Sequence, residues 1–291
     1  MDGLDLGAYL RRIGFRGAPP APDLATLEAL VALHRSSIAF ENIGALVGKV
    51  PQLDATSLQA KLVDGRRGGW CFEQNHLLRI ALEQIGFDVV GLEGRVRVGA
   101  VTEDDVTPRT HMALCVALQG RRWLVDVGFG GLTPAGPLAF DEEGVQVRHG
   151  QSYRLVTTVP EARRNVGRWT LQGITDGRWH DFYRLHPEPA NAVDYAVSNW
   201  YTATWPNAML RRNLVVSRSL PDGTRVALLN ERLTVRSGGD GLPERRFLAS
   251  RAEFVDALAD LFDLVVDDAD LDAALGVVER AAGPVTMTGL S

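Results

Sequence analysis

Cysteine is scarce in this 291-residue chain, present only as Cys71 and Cys115. Two thiols cannot staple a disulfide scaffold. Neither belongs to a Cys-x-x-Cys pair, so a thiolate metal site is not expected. Lysine is equally rare: of 31 Lys plus Arg, only Lys49 and Lys61 are lysine, a skew that points to a GC-rich genome rather than to chemistry. A basic surplus is absent as well. The net charge of −5 argues against nucleic acid or an anionic membrane as a partner. No run approaches the roughly 20 apolar residues of a membrane span. The opening stretch MDGLDLGAYLRRIG carries acids and lacks the apolar stretch of a secretory signal. There is no Walker Gly-Lys-Ser/Thr, no dinucleotide fingerprint, no internal repeat and no Pro- or Ser-rich linker. The expectation from these absences is a cytoplasmic protein with reduced thiols and no metal.

What is present is ordinary for a globular protein: 45% hydrophobic and 23% charged residues. The length suits one large domain or two to three small ones. Residues 5–15 and 23–36 have helical spacing, with Leu24, Leu27, Leu30 and Leu33 on one stripe. Ser57 is a candidate cap for LQAKLVDG, which stops at Gly65. After Cys71, the positions Leu77, Leu78, Ala81, Leu82 and Ile85 form an apolar face that Gly86 terminates. From about 88 to 195, short β-branched runs alternate with Gly, Pro and Asp turns, which is an antiparallel β texture. The remainder is mixed: strands around a Pro-Asp-Gly turn, then two helices, SRAEFVDALADLFDL and DLDAALGVVERAA.

RGGWCFEQNHLL places Cys71 behind a Gly-Gly pair that allows a tight turn, at the first turn of a helix. A helix N-terminus favours thiolate, the reactive form. Position alone leaves two readings open, a nucleophile or a small buried residue at a packed helix start. A nucleophile needs a base, and the base an orienting group. Of the six histidines, His111 stands out in THMALCVALQGRRWLVDVG. A two-residue turn at Gln119-Gly120 sets Leu118 against Arg121, Val116 against Trp123, Leu114 against Val125 and Met112 against Val127. The opposite face then carries His111, Ala113, Cys115, Leu124 and Asp126. His111 and Asp126 become diagonal neighbours, about 7–8 Å apart at Cα, a gap that long side chains bridge. A carboxylate that fixes an imidazole is what a nucleophile–base–acid triad requires. A one-residue slip would part them. Cys115, mid-strand, reads as a buried structural thiol. The following VGFGGLTPAGP brings Gly128, Gly130 and Gly131 beside this site, as an anion-approaching loop or a plain strand exit.

The blocks YLRRIGFRG, TLEALVALHRSSIAFENIGAL, RGGWCFEQN, THMALCVAL and WLVDVGFGG, with a weaker SNWYTATWP, resemble the arylamine N-acetyltransferases in order and spacing. The resemblance implies an α+β fold with a papain-like Cys-His-Asp arrangement. Its parts are a helical bundle over 1–87, an antiparallel β-barrel over 88–195 and an α/β lid over 196–291. It implies Cys71 as nucleophile, His111 as base and Asp126 as orienting acid. Glu41 and Arg67 form a structural ion pair beneath the site. Phe40 and Phe129 line an apolar pocket, and Trp70, Phe72, Gly128, Gly130 and Leu210 border the acceptor and CoA cleft. The implied reaction carries an acetyl group from acetyl-CoA to the nitrogen of an arylamine, arylhydrazine or N-hydroxyarylamine. Acetyl-CoA is then a co-substrate, with no tightly bound cofactor, in a monomer or homodimer serving xenobiotic metabolism. Three departures bear on acceptor preference: Ala39 where the family has proline, Trp70 where it has Arg or Tyr, and Leu210 where an aromatic is common. The tail GPVTMTGLS can reach toward the cleft in this architecture. The same triad also serves ansamycin amide synthases, which close a macrolactam from a carrier-bound polyketide. Papain-like hydrolases and a non-catalytic polar core are the other readings.

Overall fold

Short carboxylates start the first helices of this computed structural model, which describes residues 3–100, 102, 105–157, 169–237 and 243–281. Asp5 caps α1 (Leu6–Arg12) and Asp23 caps α2 (Leu24–Ser37), each accepting from an amide three residues on. On the α2 stripe Leu27 and Leu30 are fully buried, with Leu24 and Leu33 packed at the margin of the same core. A two-residue strand, β1 (Phe40–Glu41), follows inside the region expected to be helical, then α3 (Ile43–Leu46) and α4 (Ala55–Leu58). The cap of α4 is Asp54 rather than Ser57. The Asp54 carboxylate accepts from the Ser57 N–H at 2.9 Å, which puts Ser57 inside the first turn. A charged acceptor gains from the helix dipole where a hydroxyl does not. Residues 59–64 widen into a π-helical turn that ends at Gly65. Helix α5 (Cys71–Ile85) buries Leu77, Leu78, Ala81 and Leu82 and stops at Gly86, whose φ of 103° is the left-handed cap expected there.

Eight antiparallel strands follow: β2 (Asp88–Val96), β3 (His111–Leu118), β4 (Arg121–Val125), β5 (Leu138–Ala139), β6 (Gln146–Arg148), β7 (Gln151–Thr157), β8 (Trp169–Thr175) and β9 (Arg178–Pro189). Their order is β5-β4-β3-β2-β9-β8-β7-β6, so the sheet curls to bring its first and last strands together. Side chains of β6 bridge the gap. Buried Gln146 of β6 accepts from the Ala139 N–H of β5 and donates to its carbonyl, both at 2.8 Å. A side-chain amide thereby copies one rung of a strand ladder and leaves little edge exposed. The β3–β4 hairpin has the expected register, Leu114 against Val125 through Leu118 against Arg121. Gln119 and Gly120 both have positive φ (52° and 75°), the requirement of a two-residue hairpin turn matched to strand twist. Cys115 is half-buried rather than buried; it faces a cavity of about 200 Å³ with Leu92 and Trp169, and burial raises its thiol.

The last part contains α6 (Ala192–Thr204), α7 (Met209–Arg212), β10 (Val215–Ser219), β11 (Arg225–Leu229), β12 (Arg232–Arg236), β13 (Glu244–Phe247), α8 (Arg251–Asp260) and α9 (Asp268–Ala281). Its sheet runs β1-β10-β11-β12-β13, so Phe40–Glu41 from the N-terminal part forms its edge. Leu214, Val216, Leu228, Phe254 and Phe262 fill the core between sheet and helices. The result is the expected α+β class, with a nearly closed antiparallel barrel. Among the described residues no helix is long and apolar enough to cross a membrane. The segment 283–291, expected to reach toward the cleft, lies outside the described residues.

Candidate active site

Cys71 is the first residue of α5, where the helix has amides without intrahelical partners. Its side chain is 5% exposed, and its Sγ lies 3.5 Å from the Thr110 carbonyl. The glycines before it serve close packing rather than a left-handed turn. A Cβ on Gly68 would sit 2.2 Å from the Ala39 carbonyl oxygen, and one on Gly69 would sit 2.7 Å from the Glu73 carboxylate. Glu73, in the first turn, reaches back to accept from the Trp70 N–H at 3.1 Å, the return arm of a capping box.

Thr110 leads directly into β3, so the strand that begins at His111 brings its imidazole beside Cys71. His111 Nε2 meets Asp126 Oδ2 at 2.8 Å, and both side chains are essentially inaccessible. Cys71 lies close enough to the same ring to favour its charged form. Burial acts against a charged ring, but Asp126 and then Cys71 outweigh it and raise His111 to about 9. Burial likewise acts to raise Asp126; His111, Asn75 and the Gly128 amide overcome it and hold the carboxylate below its ordinary range. Phe129 and Tyr183 enclose the imidazole, with ring centroids 4.7 and 4.4 Å away.

The strand ladder stops at Leu114–Val125, and the expected Met112–Val127 pair does not form. The Asn75 side chain occupies that gap. It donates to the Met112 carbonyl at 2.8 Å and accepts from the Val127 N–H at 3.1 Å. Helix α5 thus completes a rung of the barrel sheet, and this ties the cysteine to the histidine–aspartate pair.

The chain is similar to known proteins. A family model described as N-acetyltransferase matches residues 23–271. An arylamine N-acetyltransferase of Mycolicibacterium smegmatis is 39% identical over 91% of this chain and 94% of its own length. This chain belongs to the arylamine N-acetyltransferase family. Among solved structures, the Nocardia farcinica enzyme superposes with a TM-score of 0.86 at 34% identity, covering 95% of this chain and 96% of that one. The Mycobacterium marinum arylamine N-acetyltransferase in complex with CoA superposes at 0.84 and 33% identity, covering 95% and 99%.

Within this arylamine N-acetyltransferase fold, the residues singled out by the resemblance fall in different places. The loop of Gly128, Phe129 and Gly130 lies against the site: a Cβ on Gly128 would come within 2.7 Å of Cys71 Cα, and one on Gly130 within 3.8 Å of the Phe40 ring. Glu41 and Arg67 pair at 2.7 Å. Trp70 and Phe72 are not brought to a cleft. Both are fully buried, and the Trp70 indole N–H donates to Asn199 at 3.0 Å. Leu210 is in α7, partly buried against the helical core, and its carbonyl accepts from Asn42. A groove of about 310 Å³ opens beside Thr110, walled by Arg109, Val197 and Tyr201. Among the described residues no cluster of three or more His, Cys, Asp or Glu could hold a metal.

Sequence reasoning missed four contributors. Asn75 had a readable signal, since it lies four residues after Cys71 on the same helical face. Glu73 had another, as an acid at the third position of a helix. Lys61 joins the Glu41–Arg67 pair by contacting Glu73 at 2.7 Å and Glu41 at 4.0 Å. Tyr183 had no signal, because its approach depends on a bulged register of β9 against β8 and β2.

Proposed function

We propose that this chain transfers the acetyl group of acetyl-CoA to the nitrogen of an arylamine, arylhydrazine or N-hydroxyarylamine through an acetyl-Cys71 intermediate. The observation that carries the reading is the buried His111–Asp126 pair at 2.8 Å, with Cys71 at the start of α5 close enough to raise the same imidazole. The Cys71 thiolate attacks the thioester carbon, and amides at the helix start stabilise the oxyanion. The bond to the CoA sulfur breaks, and that sulfur leaves as a thiol with the proton from His111. The amine then attacks acetyl-Cys71, His111 takes its proton, and Cys71 is released as thiolate. Exchange between two thioesters is nearly balanced in free energy, which favours cysteine over serine as the relay. Donor and acceptor occupy the site in turn, so ping-pong kinetics follow. No cofactor is held between turnovers.

The test is intact-protein mass after mixing with acetyl-CoA and no acceptor. The expected result is a gain of one acetyl group, lost on adding an aromatic amine and absent in Cys71→Ala. No gain in the wild-type chain would overturn the acetyl donor and point to a bulkier, carrier-bound acyl thioester.

A further inference from the structure

Three arginines meet where α2 touches the sheet of the last part of the chain. Arg35 of α2 donates to the Ser219 hydroxyl at 2.8 Å. Ser219 stands directly opposite Arg225 in the β10–β11 ladder, and Arg225 stands directly opposite Arg236 in the β11–β12 ladder. Like charges opposite one another weaken a sheet. Among the described residues one carboxylate attends the group: Asp176 bonds Arg236 at 2.9 Å. No carboxylate pairs with Arg35 or Arg225. Arg35 is only 9% exposed, yet its Nε has no hydrogen-bond partner. The nearby phenol of Tyr153 is buried, and burial keeps it protonated, so it brings no charge. Other buried arginines are served differently: Arg12 reaches Asp263, and Arg97 reaches the carbonyls of Asp105 and Thr102.

A buried guanidinium without a counter-ion is costly unless something supplies the missing charge. Here the surplus is two positive charges, in a chain whose net charge is −5. We propose that Arg35, Ser219 and Arg225, backed by Arg236, form an oxyanion site that takes a phosphate group. A phosphate monoester carries nearly two negative charges at neutral pH. Its oxygens match the fork of a guanidinium, and the Ser219 hydroxyl, already accepting from Arg35, keeps its own proton to donate. The site does not stand apart from the catalytic loop. Ser217 precedes Ser219 by two residues on the same face of β10, about 7 Å away, and a Cβ on Gly130 would lie 3.5 Å from its hydroxyl. The phosphate comes either free or as part of the CoA donor; the second source rests on the function proposed above.

Thermal unfolding of the full chain with pyrophosphate, against chloride at equal ionic strength, tests the site. A hundredfold excess over Kd raises Tm by about 4 °C. Arg225→Gln and Arg35→Gln abolish the rise, and Arg225→Lys keeps part of it; unfolding of each variant without anion gives the baseline that separates lost binding from lost stability. No pyrophosphate-specific rise in the wild type, or the same rise in both Gln variants, overturns the site. The source is read from KM. An increase of about tenfold in Arg225→Gln for acetyl-CoA but not for its 3′-dephospho analogue assigns the site to the donor. An unchanged KM with the pyrophosphate response lost assigns it to a free anion. Failure of acetyl-CoA to acylate Cys71 would remove the proposed function and leave the Tm result standing.

Discussion

Asn75 Nδ2 lies 3.0 Å from Asp126 Oδ1 and also donates to the Met112 carbonyl at 2.8 Å. One amide on the nucleophile's own helix therefore holds the carboxylate that holds the histidine. The Gly128 N–H reaches the same oxygen at 2.8 Å, which leaves Oδ2 free for the imidazole. The positions of Cys71 and His111 are coupled through this side chain.

Asn75→Ala tests that coupling. It leaves Asp126 Oδ1 short of a donor and strands the Val127 N–H, both buried. The expected cost is about 1–3 kcal/mol of stability. The larger effect is on chemistry: the rate of CoA release in the first half-reaction falls by about 10–100-fold, as a loosened base swings away from sulfur. Stopped-flow release of CoA, with thermal unfolding measured alongside, checks it. A stability loss with an unchanged rate would show that Asn75 only packs.

The pH dependence of stability follows from the same pair. His111 is raised from 6.5 to about 9, so the stability it adds is complete below its unfolded value and is lost as pH rises through about 9. Asp126 is lowered from 3.8, so its contribution is present above that value and is lost as pH falls through its folded one. Calorimetry of wild type and Asp126→Asn between about pH 6 and 10 separates the first effect. The wild-type Tm should decline through that window, while the variant, with no carboxylate to hold the ring charged, declines less. Parallel curves would contradict the pairing. Acetylation should hold to about pH 9 and then fall, since the leaving CoA sulfur needs the imidazolium proton.

Much of this site is legible in the sequence. The hairpin at Gln119-Gly120 fixed which face His111 and Asp126 share, because side-chain alternation turns a register into a set of neighbours. The helix start at Cys71 and its stop at Gly86 were local signals of the same kind. What stayed hidden depended on contacts distant in sequence. The Asn75 bridge needs α5 laid across the end of the β3–β4 ladder, and the Gln146 closure needs the barrel already curled. The glycines before Cys71 suggest a turn, yet they are there for space that only the packed Ala39 and Glu73 define. Trp70 and Phe72 flank Cys71 in sequence, but the extended cap at Trp70 and the first turn of α5 turn both into the core.

Gly128 is the position where the catalytic loop comes closest to the nucleophile. Gly128→Ala would set a methyl 2.7 Å from Cys71 Cα and 2.9 Å from Asn75 Nδ2, both fixed by hydrogen-bonded structure. Either the loop or the helix start must shift by several tenths of an ångström. The acetylation rate should fall at least about tenfold, because a small displacement of reacting groups is expensive. Gly131→Ala is the control, since its methyl would meet nothing closer than Ala227 Cβ at 3.8 Å. Equal rates in the two variants would mean the loop yields freely.

Beneath Cys71, Glu41, Glu73, Lys61 and Arg67 form a quartet with two charges of each sign. The Glu41 and Glu73 side chains are 0% and 2% exposed, whereas Lys61 keeps 28% of its surface in solvent. Burial raises Glu73 even against the pull of Lys61, so this carboxylate is the member that depends most on its partner. Lys61→Met should cost about 3 kcal/mol, because it leaves Glu73 buried and unpaired. Glu73→Gln added to it should recover most of that loss, since a neutral amide tolerates the site and can still accept from the Trp70 N–H. The double-mutant cycle in urea measures the coupling directly. Additive losses would show that the quartet is held by its other hydrogen bonds and that Lys61 is only its solvent-facing lid.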